Sequence, residues 1–174
     1  SSDQSEPSDR FLEFDLSAEL KHGIAVSNLA YALGKELGLP HEKCYELAMA
    51  GMLHDIGKPK TFTLDAEGHG HFRGHPLVSR DLAEEMLRRL KCSNAFRQTV
   101  TRLVEWHDRG ICQDERTLRR ALYSLGEQDL KRLLVIKRAD NLAQAPAFQQ
   151  RQAELDWAEK ELTRLLEERA CMSL

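Results

Sequence analysis

Chemistry concentrates at one point of the sequence, the pair His54-Asp55 in the run Ala50-Gly51-Met52-Leu53-His54-Asp55-Ile56-Gly57-Lys58. Two good metal ligands close an otherwise apolar helix. A carboxylate in such a place is destabilising unless something compensates its charge, and a divalent cation is the obvious compensator. Four more ligand-type residues sit in similar settings. His22 heads a stripe through Val26, Leu29 and Leu33, and His75 heads one through Val78, Leu82 and Met86. His107 ends a stripe through Val100, Leu103 and Val104, and Asp140 follows Leu133 and Ile136 and precedes Ala143. The helical period turns all six groups inward from five helices.

Taken singly, an inward histidine is ordinarily a hydrogen-bonded core residue. Asp140 has Lys137 and Arg138 near enough to pair with it. Six such groups, two of them adjacent, are poorly explained as independent accidents, and a metal centre accounts for them together.

The elements that must carry these residues are helices. Residues 1–10 are polar and without apolar period, so they read as a disordered segment or an added remnant. Residues 11–174 read as one domain, with Phe11, Leu12, Phe14 and Leu16 anchoring its start. Ser17 fits the N-cap of a helix to about Leu37, stopped by Gly38 and Pro40. A second helix from His41 ends at Gly57 as a C′ glycine. It is apolar on nearly all sides from Leu47 to Leu53, as a central buried helix would be. Residues 59–74 read as a small hairpin or loop. Helices follow over Pro76 to Leu90, Ser93 (N-cap) to His107, Asp114 to Leu125 with a stop at Gly126, and Gln128 to Ala143. Pro146 opens a last helix to about Ala170, with Phe148, Leu155, Ala158, Leu162 and Leu165 on one stripe. That stripe suits packing on the core, with a homodimer seam as the second reading. The fold class is all-α, a bundle of about seven helices.

Bulk properties narrow the function. The 174 residues carry 30% charged and 6% aromatic residues and a net charge of −3, which excludes a broad basic nucleic-acid surface. Cys44, Cys92, Cys112 and Cys171 are scattered, as reduced cytoplasmic cysteines are. There is no apolar run of membrane-spanning length and no signal peptide, so a cytoplasmic location without membrane contact is expected. The first residue is Ser rather than Met, as in a trimmed chain.

The series His22, His54-Asp55, Asp140 resembles the H…HD…D pattern of the HD-domain metal-dependent phosphohydrolases. His75 and His107 match the extra ligands of its dinuclear members. Four stretches (Leu53 to Pro59, His71 to His75, Arg88 to Asn94, Trp106 to Asp108) are similar to the HD domain of bacterial tRNA CCA-adding nucleotidyltransferases, the resemblance spanning roughly Leu20 to Ala145. There is no room in this sequence for their nucleotidyltransferase domain, so nucleotide addition is not implied. No GYP signature follows His107, which disfavours cyclic-di-GMP hydrolysis.

What the resemblance implies is a hydrolytic centre. His22, His54, Asp55 and Asp140 would bind one ion, His75 and His107 would complete a second site, and Asp55 would bridge. Imidazole and carboxylate together suit a divalent transition metal (Mn, Fe, Co, Ni or Zn). The reaction would be attack of a metal-bound hydroxide on a phosphomonoester or phosphodiester, with a nucleotide or a 2′,3′-cyclic phosphate as substrate. Lys58 would meet a phosphate oxygen, with a solvated lysine as the plain reading. Arg73, Arg80 and His71 are further substrate candidates, His69 a weaker one, and each is otherwise an ordinary surface residue. Asp108 would orient a ligand or protonate a leaving group, or is a helix-end carboxylate. Trp106 and Trp157 could stack on a base, though packing explains them as well, and His41 reads as exposed. Two other functions remain: a nucleotide-sensing regulatory module, and a structural bundle whose inward His and Asp satisfy one another.

Overall fold

The computed structural model describes residues 15–173, apart from the side chain of Phe148, so Phe11, Leu12 and Phe14 lie outside the described residues. Leu16, the remaining proposed anchor, is exposed. The helices are α1 (Leu16–Glu36), α2 (His41–Leu53), the single turn α3 (Lys58–Thr61), α4 (His75–Arg89), α5 (Asn94–Trp106), α6 (Glu115–Leu142) and α7 (Gln152–Met172). A two-stranded antiparallel hairpin, β1 (Thr63–Leu64) and β2 (Gly70–His71), lies between α3 and α4 with Thr63 opposite His71. The result is the expected all-α bundle with a small hairpin insertion.

Local chemistry explains most boundaries. Asp15, not Ser17, caps α1, its carboxylate accepting from the Ala18 N–H at 3.0 Å. Both residue types cap well; the carboxylate two positions earlier adds a favourable charge at the helix N-terminus. Ser93 and Asp114 cap α5 and α6 as their positions suggest. At Gly126 the backbone takes φ 80° and ψ 170°, which breaks α6 into the two straight pieces read from the sequence. Pro146 opens a 3₁₀ turn over Pro146–Arg151, and α7 starts only after it.

α2 sits centrally, packed on α1, α5 and α6. Where α1 crosses α2, a Cβ at Gly51 would lie 3.1 Å from the Ser27 backbone nitrogen and from Val26. The two helices meet there almost backbone to backbone. The core is built by Val26, Leu47, Leu87, Leu103, Leu118, Leu130, Leu133 and their neighbours.

Two expectations are corrected. The buried side of α4 is His75, Ser79, Ala83 and Leu87, a face rotated from the anticipated Val78–Leu82–Met86 stripe, and Met86 is exposed. Small Ser79 and Ala83 let α4 lie close on its neighbours, so backbone proximity rather than apolar bulk selected the face. The α7 stripe Leu155, Ala158, Leu162 and Leu165 is buried inside the chain itself, which leaves no dimer seam along it. Among the described residues no helix is long and apolar enough to cross a membrane. All four cysteines are free.

Leu162→Ala should lower the unfolding free energy by about 2–5 kcal/mol, read from the denaturant midpoint at unchanged slope. Tyr123→Ala, at an 88% exposed position, should stay within about 0.5 kcal/mol of the parent.

Candidate metal centre

Helix ends deliver four of the six groups to one point, and helix interiors the other two. His54 and Asp55 occupy the turn that follows α2, His107 the residue after α5, and His75 the first residue of α4; His22 and Asp140 come from within α1 and α6. Asp55 is the hub. Its Oδ2 lies 3.1 Å from His54 Nε2 and 3.0 Å from Lys58 Nζ. Its Oδ1 lies 3.2 Å from His75 Nε2 and 3.4 Å from His107 Nε2. Asp140 Oδ1 stands 2.7 Å from His22 Nε2 and 3.3 Å from His54 Nε2. All six groups named from the sequence thus converge, from α1, α4, α6 and the residues that follow α2 and α5.

The imidazoles are oriented from behind. Nδ1 of His54 donates to the Gly51 carbonyl at 2.6 Å and Nδ1 of His75 to the Phe72 carbonyl at 3.0 Å, while Nδ1 of His107 donates to the Val104 carbonyl. A carbonyl only accepts, so each Nδ1 carries a proton, and each ring when neutral presents its lone pair at Nε2. This is the arrangement that prepares a histidine for a metal. Nε2 of His54 is fully buried and has no partner in hydrogen-bonding geometry. Nε2 of His75 and Nε2 of His107 lie 3.2 Å apart, two lone pairs facing each other when both rings are neutral. An orphaned buried nitrogen and an opposed pair of acceptors both ask for a cation. The ligand atoms of His22, His54 and Asp140, and those of His54, Asp55 and His107, lie within 4.8 Å of one another, close enough for each trio to hold an ion. The donor set fits a divalent transition metal.

Without an ion the charges redistribute onto protons. Burial opposes the charged form of His54, but contact with Asp140 and Asp55 outweighs it and raises the imidazole from 6.5 to about 10. Asp55 moves the other way: burial would raise its pKa, yet His107, His54 and His75 hold it far below the carboxylate range. Asp140 is lowered similarly, against its burial, by His22 and His54. Lys58 is desolvated, but Asp55 and Glu19 (3.5 Å) keep its ammonium favoured.

The remaining candidates divide. Lys58 is in the network, and Asp108 lines a cleft of about 320 Å³ that shares His107 and Asp140 with the ligand set. Arg73 is exposed in the loop before α4, with no acid paired to it among the described residues. His71 is tied to Asp65 at 2.8 Å inside the hairpin, His69 leans on the same carboxylate, and neither joins the network of six. Arg80 is held by Glu105 and Asp81. Arg109 stacks 3.8 Å over the Trp106 ring, Trp157 is partly exposed on α7, and His41 is exposed against the Tyr31 hydroxyl. The plain alternative for Asp140 fails. Arg138 binds Asp156, Glu159 and Gln152, and Lys137 donates to the carbonyls of His107 and Arg109.

Two structural partners escaped the sequence reading, and a third, Lys137, was expected at Asp140 but holds the segment after His107. Glu19 lies three residues before His22 on the same helix face, a spacing that could have flagged it. Ser79 is the other. Its Oγ accepts from the Gly57 N–H at 2.8 Å, and a Cβ on Gly57 would lie 2.6 Å from the Ser79 backbone nitrogen and 2.7 Å from the His75 carbonyl. Gly57 has φ −80°, so it is no left-handed C′ residue. It is small because the turn bearing Asp55 is pressed on the first turn of α4.

The sequence profile of the HD domain matches residues 20–145, which contain all six convergent groups. The chain belongs to the HD domain family. HD domains bind divalent metals and form a superfamily of metal-dependent phosphohydrolases, in keeping with the site. Among curated relatives, the A-adding tRNA nucleotidyltransferase of Deinococcus radiodurans is 35% identical over 95 residues, covering 53% of this chain and 22% of that protein. The CC-adding tRNA nucleotidyltransferase of Thermus thermophilus is 34% identical over 100 residues, covering 56% of this chain and 23% of that protein. The aligned stretch therefore spans less than a quarter of each relative's length.

Two outcomes follow. Metal loading of the chelated protein at pH 7 should release protons, because His54 retains its proton up to about pH 10. Apparent affinity should thus keep rising with pH above 7, whereas an ordinary histidine would let it level off; calorimetry in buffers of different ionisation enthalpy measures the release. Gly57→Ala should force α4 away from the Asp55 turn, costing about 1–3 kcal/mol and lowering metal content, read by thermal melts and elemental analysis.

Proposed function

We propose that the chain is a phosphohydrolase that cleaves a phosphomonoester or phosphodiester, with a nucleotide or a 2′,3′-cyclic phosphate as its substrate. The observation that carries this reading is the division of the Asp55 carboxylate, one oxygen toward His54 and Lys58 and the other toward the opposed His75 and His107. A carboxylate shared in that way suits two cations side by side, one with His22, His54 and Asp140 and the other with His75 and His107. Divalent transition metals such as Mn, Fe, Co, Ni or Zn, bound there, would lower the pKa of water and screen the charge of phosphate oxygens.

The chain's own groups supply the rest. The backbone carbonyls behind His54, His75 and His107 fix the rings before substrate arrives, so no reorganisation is needed during the reaction. Lys58 is desolvated and kept cationic, and a phosphate oxygen entering beside Asp55 would meet its ammonium. Arg73, exposed on the loop that leads into His75, would offer a second cation in this reading, and His71 stands on the adjoining strand. Asp108 lines the cleft next to His107, and in this reading it would pass a proton to the departing oxygen. An enzyme needs this opposed, two-sided ligand set; a sensor that merely holds a nucleotide does not.

The test is a panel of phosphoesters assayed with Mn, Co and Ni. His54→Ala with Asp55→Ala should lose both bound metal and turnover. Full metal retention in that variant would falsify the assignment. Lys58→Met should keep its metal and lose about 10²–10³ in kcat. A metal-replete protein that turns over none of the esters would instead be a nucleotide-binding regulatory module.

A further inference from the structure

The cleft beside the metal centre has two walls of different origin. One is the α5–α6 turn and the end of α6, including His107, Asp108, Gln113 and Asp140. The other is Arg151, Glu154 and Leu155, from the 3₁₀ turn and the start of α7. This second wall lies beyond residues 20–145, the stretch that matches the HD domain. The chain therefore adds its own surface to one side of the opening onto the shared ligands. Elements appended to a common fold are where specificity is ordinarily set.

Volume and charge define what such a cleft accepts. About 320 Å³ is at the small end of ligand sites and suits one nucleoside. Its cations are mostly committed. Lys137 gives its ammonium to the carbonyls of His107 and Arg109, and Arg109 lies on the Trp106 ring with Glu105 at 3.6 Å. That leaves Arg151 balanced by Glu154, with Asp108 and Asp140 adding negative charge. A polyphosphate tail would find no cationic surplus there. Hydrogen-bonding capacity is present instead: the Gln113 amide lines the cleft together with that of Gln144, whose Oε1 accepts from Asn141 Nδ2 at 3.4 Å, beside apolar Ile111 and Leu155. Amides next to an apolar floor suit a flat ring with a polar edge.

We infer that this cleft is the leaving-group subsite and that it takes the nucleoside of a nucleoside monophosphate, with the α7 wall selecting it. The inference rests on the hydrolase reading for the word leaving-group and on the cleft itself for the nucleoside. Arg151, Glu154 and Gln144 are specificity residues in this scheme, and none of them belongs to the metal ligands.

Two measurements test it. The first uses the Gln144→Ala, Arg151→Ala double variant, altered only at exposed positions and checked for unchanged metal content. KM for the nucleoside 2′-, 3′- and 5′-monophosphates should rise about tenfold or more, while kcat/KM for p-nitrophenyl phosphate should stay within about twofold. The second is a titration of the zinc-loaded, ¹⁵N-labelled full chain with free nucleosides, followed by amide shifts. Shifts clustered at residues 110–113, 144 and 151–155, absent with ribose 5-phosphate alone, would support the subsite. Equal losses on both ester types, or no nucleoside shifts in that cluster, would overturn it. If no ester is hydrolysed at all, the hydrolase reading falls, and the nucleoside titration still decides the cleft.

Discussion

A single carboxylate, largely removed from water and ringed by three imidazoles and an ammonium, governs this molecule. Coulombic energy at such short range in a poorly polarisable interior is large, and so is the desolvation that opposes it. The balance favours the ionised acid only because each partner is held by something else. His54, His75 and His107 lean on carbonyls one turn behind them, and Lys58 leans on Glu19. Remove that backing and Asp55 becomes an uncompensated buried charge. The helices are arranged so that their ends, where such carbonyls and turns are found, come together at this point.

The same economy appears one layer out. Lys137, a single turn from Asp140, ties down the segment after His107, so α6 both supplies a ligand and steadies another. α4 supplies His75 while its Ser79 receives the amide of Gly57. Second-layer contacts of this kind fix first-layer geometry, and here they connect ligands far apart in sequence.

The converging groups themselves were legible because a helical stripe with one histidine or aspartate in it says which way that residue points. His22, His107 and Asp140 each followed from the period of their neighbours, and each is where the period placed it. Caps and stops were legible for a related reason: Ser93, Asp114 and Gly126 act through their own backbone. What escaped depends on neighbours distant in sequence. Asp15 and Ser17 are equally good caps, and only the folded start of α1 chooses between them. The face of α4 was misjudged because Ser79 and Ala83 were not bulky enough to count as core, although their smallness is why they are buried. Gly57 looked like a helix terminator, and its true partner is 22 residues away. The cleft and its α7 wall exist only once the helices are assembled, so no local pattern announces them.

The seam between α1 and α2 carries a further implication. His22 projects from one of these helices and His54 follows the other, their rings 5.6 Å apart. At Gly51 the α2 backbone lies directly on the α1 backbone at Ser27, with the Val26 methyl beside it. A hinge of compressible methyl groups would let the imidazoles spread around a bulky guest. Peptide packed this closely on peptide yields far less, so the spacing of these two rings is set by the seam itself.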